Sequence, residues 1–380
     1  MLKGRLVLDC SDRSGWLAGR LLADLGAEVV KLDARDTDRT DPGWQAYNVN
    51  KRPLDLDVTS EGGRRRFDDL VGIADIVIAC YRPGTPAAAV FDYDRLATLN
   101  PQLIVVAISP FGLSGPRAQW KATDIELMAA GGAMSLAGEP DGVPQRVSVP
   151  QSYSWTGAQA AIGALIAINH RNVSGAGQLV DVSGQASVVL ALAHAPTFWD
   201  IERKEPTRAG AYVTGRSVTG ARYRVFWPCR DGYLNFVLYG GSAGRRTNQQ
   251  LVAWMRETRA ELGPLAEIDW SRFDPTRATQ AEVDAIEARM QAFFATLTKR
   301  EFLDGAHRRE MLGYPIATVA DIAEDPQLEA RRFWQMVRGP DGVTRRHCGS
   351  FAVIDGRRPP LRVWPLDATR AATASGETVG

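Results

Sequence analysis

Positive charges lie in or near four short segments that each follow a strand-like apolar run. The segments are SDRSG after Cys10, ARDTDR after Asp33, YRPG after Cys80 and PFGLSGP after Ser109. Clustered cations of this kind suit a phosphorylated ligand of moderate size, although a solvated surface would show the same composition. The cations in and near these segments are Arg13, Arg35, Arg39, Lys51, Arg52, Arg82 and Lys121.

The elements that must position these segments follow a βαβ order. The runs RLVLDC, AEVVKLD, ADIVIAC and QLIVVAIS alternate with helical stretches, one of them over 61–71. Runs such as IVIAC are apolar at consecutive positions, which is typical of parallel strands covered on both faces. Ligands of such sheets bind beyond the carboxyl ends of the strands. We therefore expect the four segments to meet at one site.

Composition and missing motifs narrow the class of ligand. Lys and Arg number 45 against 44 Asp and Glu, which disfavours nucleic acid. SDRSGWLAG lacks GxGxxG, and no GxxxxGK[ST] stands at these turns, so NAD and ATP are disfavoured. The four cysteines are far apart without CxxC, which predicts reduced thiols and no metal site. The longest apolar runs fall short of the roughly 20 residues that span a bilayer, which predicts a soluble, cytoplasmic protein without a membrane partner.

The remaining pattern predicts two further helices and a hairpin. Apolar, alanine-rich stretches predict helices over 155–169 and 186–198 with a strand, QLVDVS, between them. RYRVFWPCRDGYLNFVLY predicts a hairpin with Asp231 and Gly232 as its turn. A charged helix is expected over 280–298.

These elements predict an α/β protein of two domains. The large domain is expected to be Rossmann-like with a parallel sheet and to cover 1–206, with a C-terminal return over 335–380. A linker over 207–222 is expected to lead to a smaller α+β domain over 223–334.

Several blocks of the sequence resemble the family III CoA-transferases, the group that includes formyl-CoA and carnitine CoA-transferases. They include LAGRLLADLGAEVVKLD, YNVNKRPLDLDV, IACYRPG, ATDIELMAAGGAMSLAGEPDGVP and ATVADIAEDPQLEARRFW, so the resemblance covers nearly the whole chain. It implies CoA or acyl-CoA as a substrate and no permanently bound cofactor. It also implies an interlocked dimer, in which each chain threads through the other.

The resemblance places a nucleophilic aspartate where this chain has Tyr153. In the family that aspartate attacks the thioester and carries each intermediate. A phenol, with an ordinary pKa near 10, cannot form the mixed anhydride. The related racemases would also need a histidine where Thr123 stands, so the racemase reaction is disfavoured. Asp124 is left either as a substitute nucleophile or as an acid at a helix start.

The resemblance also assigns residues to CoA binding. Lys121 matches a lysine that reaches the CoA site, and Leu56 and Tyr81 match positions that line the adenine pocket. Three further residues lie in loops that approach the nucleotide, namely Arg13, Ser14 and Arg35.

The missing aspartate leads to three hypotheses. The chain resembles the aspartate-lacking subunit of succinyl-CoA:benzylsuccinate CoA-transferases, which predicts a partner chain that carries the aspartate and transfer of CoA from a succinyl-CoA-like donor to an organic acid. Alternatively, a homodimer uses another acid such as Asp124. A non-catalytic CoA-binding or scaffold protein is the third hypothesis. No residue pattern selects the acid, although the loop over 240–246 is expected to help shape its pocket.

Overall fold

The structure is a computed structural model that describes residues 1–214, 217–238, 240–339 and 342–362, with only the backbone described at position 243. The described residues form two compact units. One contains Met1–Ser135, Gln145–Pro206 and the described residues from Pro326 onward, and the other contains Leu136–Pro144 and Thr207–Asp325. The domain boundaries expected from the sequence stay a prediction, and part of the expected C-terminal return, 340–341 and 363–380, lies outside the described residues.

A six-stranded parallel sheet in the order β3-β2-β1-β4-β5-β6 forms the centre of the first unit, which confirms the expected α/β fold class. Its register places Asp9 opposite Lys31 and Cys10 opposite Ala79, so neighbouring carboxyl ends lie side by side. The strands are β1 (Leu6–Cys10), β2 (Glu28–Asp33), β3 (Arg52–Asp55), β4 (Ile76–Cys80), β5 (Ile104–Ser109) and β6 (Gln178–Ser183).

Consecutive strand residues feed two separate cores, which explains the unbroken apolar runs. Val7 packs on one face with Ala164, while Leu8 packs on the other with Phe67. Helices cover both faces, as parallel sheets require. At Gly157 an added Cβ would lie 2.8 Å from the Leu17 Cβ, so only glycine lets these two helices approach so closely.

The first part of this unit contains nine α-helices in its described residues, two of which differ from expectation. The helix expected over 155–169 is longer at both ends, and the one expected over 186–198 is two helices. Pro196 lies in the first turn of the second, where a missing amide is tolerated. The helices are α1 (Trp16–Asp24), α2 (Pro42–Asn48), α3 (Glu61–Val71), α4 (Pro86–Val90), α5 (Tyr93–Leu99), α6 (Asp124–Ala130), α7 (Ser152–Ser174), α8 (Gly184–Ala191) and α9 (His194–Glu202).

The second unit has its own aromatic core and small antiparallel sheets. Trp227 packs edge-on against Phe294, with ring centroids 5.4 Å apart. The expected hairpin is present, but its two turn residues are Arg230 and Asp231, because Gly232 already pairs with Cys229. The elements are β7 (Tyr212–Val213), β8 (Tyr223–Arg224), β9 (Phe226–Cys229), β10 (Gly232–Asn235), α10 (Gly241–Glu257), α11 (Gln280–Phe294), α12 (Lys299–Arg308), β11 (Tyr314–Pro315) and α13 (Val319–Ala323).

The chain then adds α14 (Pro326–Ala330), β12 (Trp334–Arg338) and β13 (Thr344–Cys348) to the first unit. This segment is hydrogen-bonded to the sheet domain: Arg20 donates to the Cys348 carbonyl at 2.6 Å, and the Arg362 amide donates to Asn50 Oδ1 at 2.8 Å. Among the helices that the structure describes, none has the length and apolar character needed to cross a membrane.

Candidate active site

An open pocket of 760 Å³ lies in the first unit at the carboxyl ends of β1, β4 and β5. In the strand order, β1 and β4 are the neighbours at which the sheet reverses its direction of growth. The loops on either side of such a switch point diverge and leave a crevice, which is where ligands of open α/β sheets bind. Three of the four segments singled out by their sequence contribute to its wall, those after Cys10, Cys80 and Ser109.

Three cations line this pocket, namely Arg13, Arg82 and Lys121. Arg82 donates to the Gln119 carbonyl at 2.6 Å, which fixes its guanidinium at the pocket wall. Arg35 is exposed and is not among the lining residues.

Three other cations singled out from the sequence do not line this pocket and are held in ion pairs. Lys51 contacts Asp9 at 2.7 Å, Arg39 contacts Asp55 at 2.5 Å, and Arg52 contacts Glu28 at 3.2 Å. Because their carboxylate partners come from other segments, charge count alone could not separate them from the cations that line the pocket.

The loop after β4 supplies aromatic and polar wall. Tyr81 stacks on Phe91 with ring centroids 6.0 Å apart, and burial, reinforced by nearby Asp181 and Asp92, raises the pKa of Tyr81 to about 12. The phenol is therefore neutral at physiological pH. Leu56, in contrast, packs against the apolar core and is not among the lining residues.

Ser14 and Cys80 meet at the base of the pocket. The Ser14 hydroxyl donates to Asp12 Oδ1 at 2.5 Å and lies 3.4 Å from the Cys80 sulfur. Burial, together with the charge of Asp12, raises the pKa of the Cys80 thiol. The thiol is therefore uncharged and a poor nucleophile.

Tyr153 and Asp124 are joined by reciprocal contacts between two helix starts. The Asp124 amide lies at the start of α6 and has no acceptor within its own helix. It donates to the Tyr153 hydroxyl at 3.0 Å. In return Asp124 Oδ1 accepts from the amides of Gln151 and Ser152, both at 2.9 Å, and from the Ser152 hydroxyl at 2.8 Å. The carboxylate thus caps the first turn of α7, which has no cap from its own N-cap side chain.

This arrangement limits the chemistry of both groups. Burial raises the pKa of Tyr153, so the phenol stays protonated, and its oxygen already accepts a hydrogen bond. Tyr153 lines the pocket, whereas Asp124 is buried and is not among the lining residues. The carboxylates that do line it are Asp12 and Glu126, and Glu126 is engaged in the capping box of α6.

A smaller pocket of 330 Å³ adjoins the first and shares Arg13 and Tyr153 with it. Trp16 and Tyr47 make part of its wall aromatic. The two pockets together offer cations, neutral phenols and apolar surface. In the part of the chain that the structure describes, no group of three or more His, Cys, Asp or Glu side chains could hold a metal ion.

Sequence reasoning therefore located five of its eight site residues on the pocket wall: Arg13, Ser14, Tyr81, Lys121 and Tyr153. It named Arg82 only among the cations of these loops and did not name Asp12, although both stand in the loops that follow β4 and β1. The rule that ligands bind at strand carboxyl ends would have included both, because it applies to every residue of such a loop.

Comparisons with known proteins identify the family of this chain. The sequence profile of CoA-transferase family III matches residues 2–365, and the chain belongs to this family. The family places it among CoA-transferases that act on CoA thioesters.

Individual relatives cover most of the chain. The succinyl-CoA:(R)-benzylsuccinate CoA-transferase subunit BbsE of Thauera aromatica is 31% identical over 346 residues, which are 87% of this chain and 82% of the relative. Succinate–glutarate CoA-transferase of Agrobacterium fabrum is 28% identical over 96% of this chain and 90% of its own. A CAIB/BAIF family protein of Brucella suis, known as a crystal structure, superposes with a TM-score of 0.79 at 25% identity over 97% of both chains.

Proposed function

We propose that this chain is a CoA-transferase subunit that binds acyl-CoA and lacks the nucleophile, and that it assembles, in the family's interlocked manner, with a paralogous chain that carries the aspartate. The pair transfers CoA from a succinyl-CoA-like donor to an organic carboxylic acid. The observation that carries this proposal is the hydrogen bond from the Asp124 amide to the hydroxyl of Tyr153, at the place where the family's nucleophile is expected.

The larger pocket supports CoA binding by this chain. Arg13, Arg82 and Lys121 can neutralise phosphate groups, since cationic side chains form strong charge-assisted hydrogen bonds with phosphate oxygens. Tyr81 presents a neutral aromatic wall to which an adenine can pack. The smaller pocket has aromatic side chains in its wall, and its Arg13 is paired with Asp41 at 3.3 Å, so it suits the apolar part of an acid.

The lack of a nucleophile is supported by the state of each group near Tyr153. The phenol is neutral and hydrogen-bonded, the Asp124 carboxylate caps α7, and the Ser152 hydroxyl is fully buried. Asp124 and Ser152 stabilise the helix start and do not line the pocket, and Tyr153, which lines it, presents a protonated phenol. The relative BbsE, whose name makes it a subunit, supports the idea of a partner.

The experiment that tests assembly is native mass spectrometry of the tagged protein isolated from its own host. A heteromer with a second chain of similar mass, carrying an aspartate at the position that aligns with Tyr153, is the expected result. A homodimer that transfers CoA by itself would contradict the proposal.

Isothermal titration calorimetry with CoA tests the binding role. Arg82→Ala and Lys121→Ala are each expected to weaken binding about tenfold, the loss of one charge-assisted hydrogen bond. Arg65→Ala is the matched control, because Arg65 is exposed on α3 and pairs with Glu61 in the same helix. No CoA binding by the intact protein would favour the scaffold hypothesis.

A second candidate function, a self-sufficient transferase, is favoured by one observation: the Asp12 carboxylate lines the larger pocket. Its Oδ1 accepts from the Ser14 amide and hydroxyl, at 2.9 and 2.5 Å, which orients the group. If the protein alone transfers CoA, Asp12→Asn is expected to abolish the activity. Asp124→Asn, in contrast, is expected to keep much of it, because the amide oxygen can still cap α7.

A further inference from the structure

A loop that lines both pockets is held at its two ends by buried charges. The loop comprises Ser11–Gly15, and it leads directly into Trp16, the first residue of α1. Asp12, Arg13 and Ser14 line the larger pocket, and Arg13 and Trp16 line the smaller one. The position of this loop therefore decides the shape of both pockets.

Asp9 and Lys31 hold the first end of the loop. Asp9 Oδ1 accepts from the Ser11 amide at 3.0 Å and from the Ser11 hydroxyl at 2.5 Å. The Lys31 ammonium donates to the Ser11 carbonyl at 2.8 Å. All polar groups of Ser11 are therefore bound to charged side chains that are fully or almost fully buried.

Lys51 holds the second end. Its ammonium donates to the Trp16 carbonyl at 2.7 Å, to Asp9 Oδ2 at 2.7 Å and to Asn48 Oδ1 at 2.8 Å. Asn48 ends α2, the helix that contributes Gly43 and Tyr47 to the smaller pocket. One ammonium thus joins β1, the loop end and the opposite wall of the smaller pocket.

The pair is isolated from water and has no spare room. The side chains of Asp9 and Lys51 have no exposed surface. An added Cβ at Gly19 would lie 2.2 Å from Asp9 Oδ2 and 3.1 Å from the Lys51 nitrogen. Burial lowers the pKa of Lys51 to about 8 against the opposing effect of Asp9, so the ammonium is charged at neutral pH.

Breaking a buried pair on one side leaves an uncompensated charge, whereas replacing both partners with neutral groups of similar shape is often tolerated. Asp9 and Lys51 also bind the two ends of a loop that lines both pockets, so their contacts can set the position of that loop. We propose that Asp9 and Lys51 are positioning residues, which hold the loop Ser11–Gly15 and α2 in the arrangement that accepts the ligand. The binding part of the test below rests on the proposed CoA site, and the exchange part does not.

Hydrogen exchange followed by mass spectrometry on the intact protein tests this inference. In Lys51→Met, the amides of residues 11–16 are expected to exchange at least about tenfold faster, because local opening of the loop becomes easier. Affinity for CoA is expected to fall about tenfold in parallel, since only the fraction with a competent loop binds.

The matched control is Arg171→Met, which breaks the partly buried ion pair of Arg171 with Asp75 at the amino end of the same sheet. This variant lowers stability without changing a contact of the loop. At a temperature well below the unfolding transitions of both proteins, exchange at residues 11–16 is therefore expected to stay within twofold of the wild-type rate. Equal effects of the two variants, or unchanged exchange in Lys51→Met, would overturn the inference.

The double variant Asp9→Asn with Lys51→Met covers the case in which Lys51→Met does not fold, because it leaves no unpaired buried charge. Faster exchange at residues 11–16 is again expected, and protection equal to wild type would overturn the inference. If the wild-type protein binds no CoA but the exchange result holds, the proposed CoA site fails and the positioning role stands.

Discussion

The start of α7 in the first unit differs from three helix starts in the second unit. In the second unit, α11, α12 and α13 each begin with a capping box, a threonine followed three residues later by an acid: Thr279 with Glu282, Thr298 with Glu301 and Thr318 with Asp321. In the first unit the long helix α7 is preceded by the N-cap residue Gln151, whose side chain makes no cap. Its cap is Asp124, 27 residues away in the chain and part of another helix.

The three helix starts of the second unit are capped by their own residues, whereas the start of α7 is capped by a residue of another helix. A capping box satisfies its donors within four residues, so it forms wherever the helix forms. The start of α7 exists only when α6 is in place, because the cap and the Tyr153 contact are exchanged between them. The position of Tyr153 on the pocket wall therefore depends on the contact between α6 and α7.

The largest expected effect follows from removing the long-range cap. Asp124→Ala leaves three donors at the start of α7 without their acceptor, and we expect it to lower the free energy of unfolding by about 3 kcal/mol. Denaturant unfolding of the isolated protein measures this. Asp94→Ala, at an acid in the first turn of α5, is the control, and a similar small loss in both variants would show that the cap of α7 contributes no more than an ordinary first-turn acid.

A second long-range carboxylate, in the second unit, sharpens the comparison through pH. Glu287 on α11 accepts from the Arg224 amide at 2.7 Å, and burial raises the pKa of Glu287 to about 7. Since the unfolded group ionises near its ordinary value of 4.5, the folded protein binds more protons between these values and loses stability as pH rises through this window.

Glu287→Gln keeps the acceptor oxygen and removes the ionisation. We expect the variant to lack this decline and to gain about 1–2 kcal/mol over wild type at pH 7.5 relative to pH 4.5. Unfolding free energies across that range measure the difference. Parallel pH profiles for variant and wild type would show that Glu287 does not titrate as the burial indicates.

Tyr153→Phe probes the other half of the reciprocal contact. The Asp124 amide loses its acceptor while the ring is kept, and we expect a cost of about 1 kcal/mol. Transferase activity of the assembled enzyme is expected to stay within a few fold of wild type, because the phenol is not a nucleophile in the proposed function. Steady-state kinetics measure this, and loss of activity without loss of stability would give Tyr153 a catalytic role.

The smallest effect is expected at a local cap. Thr298→Ala removes the hydroxyl that accepts from the Glu301 amide in the capping box of α12. That amide can hydrogen-bond to water instead, so we expect the free energy of unfolding to fall by about 0.5–1 kcal/mol. Thr298→Ser, which keeps the hydroxyl, is the control. A loss as large as that in Asp124→Ala would mean that local and long-range caps do not differ.

Local sequence patterns predicted the features that depend on neighbouring residues. The apolar runs predicted β1, β2, β4 and β5, because each strand is buried on both faces. The rule that ligands bind at strand carboxyl ends then indicated that Arg13, Tyr81 and Lys121 lie at one pocket. The turn of the hairpin was displaced by one residue, since the register depends on cross-strand packing that no dipeptide encodes.

Contacts between distant segments could not be predicted in the same way. Lys51 and Arg82 look alike as loop cations, yet one meets Asp9 inside the sheet and the other borders the pocket. The Asp124 cap of α7 requires the position of α6 over the sheet. In both cases the deciding partner comes from the tertiary structure, so residue type and spacing alone leave the role open.

Gly19 has a consequence for how this sequence can change by mutation. Any side chain at this position meets the ion pair between Asp9 and Lys51, so a replacement is tolerated only after the pair has been lost or rebuilt. Loss of either charge alone passes through a chain with one uncompensated buried ion. Substitutions at Gly19, Asp9 and Lys51 are therefore expected to be tolerated in combination, whereas most single substitutions at these positions are expected to destabilise the protein.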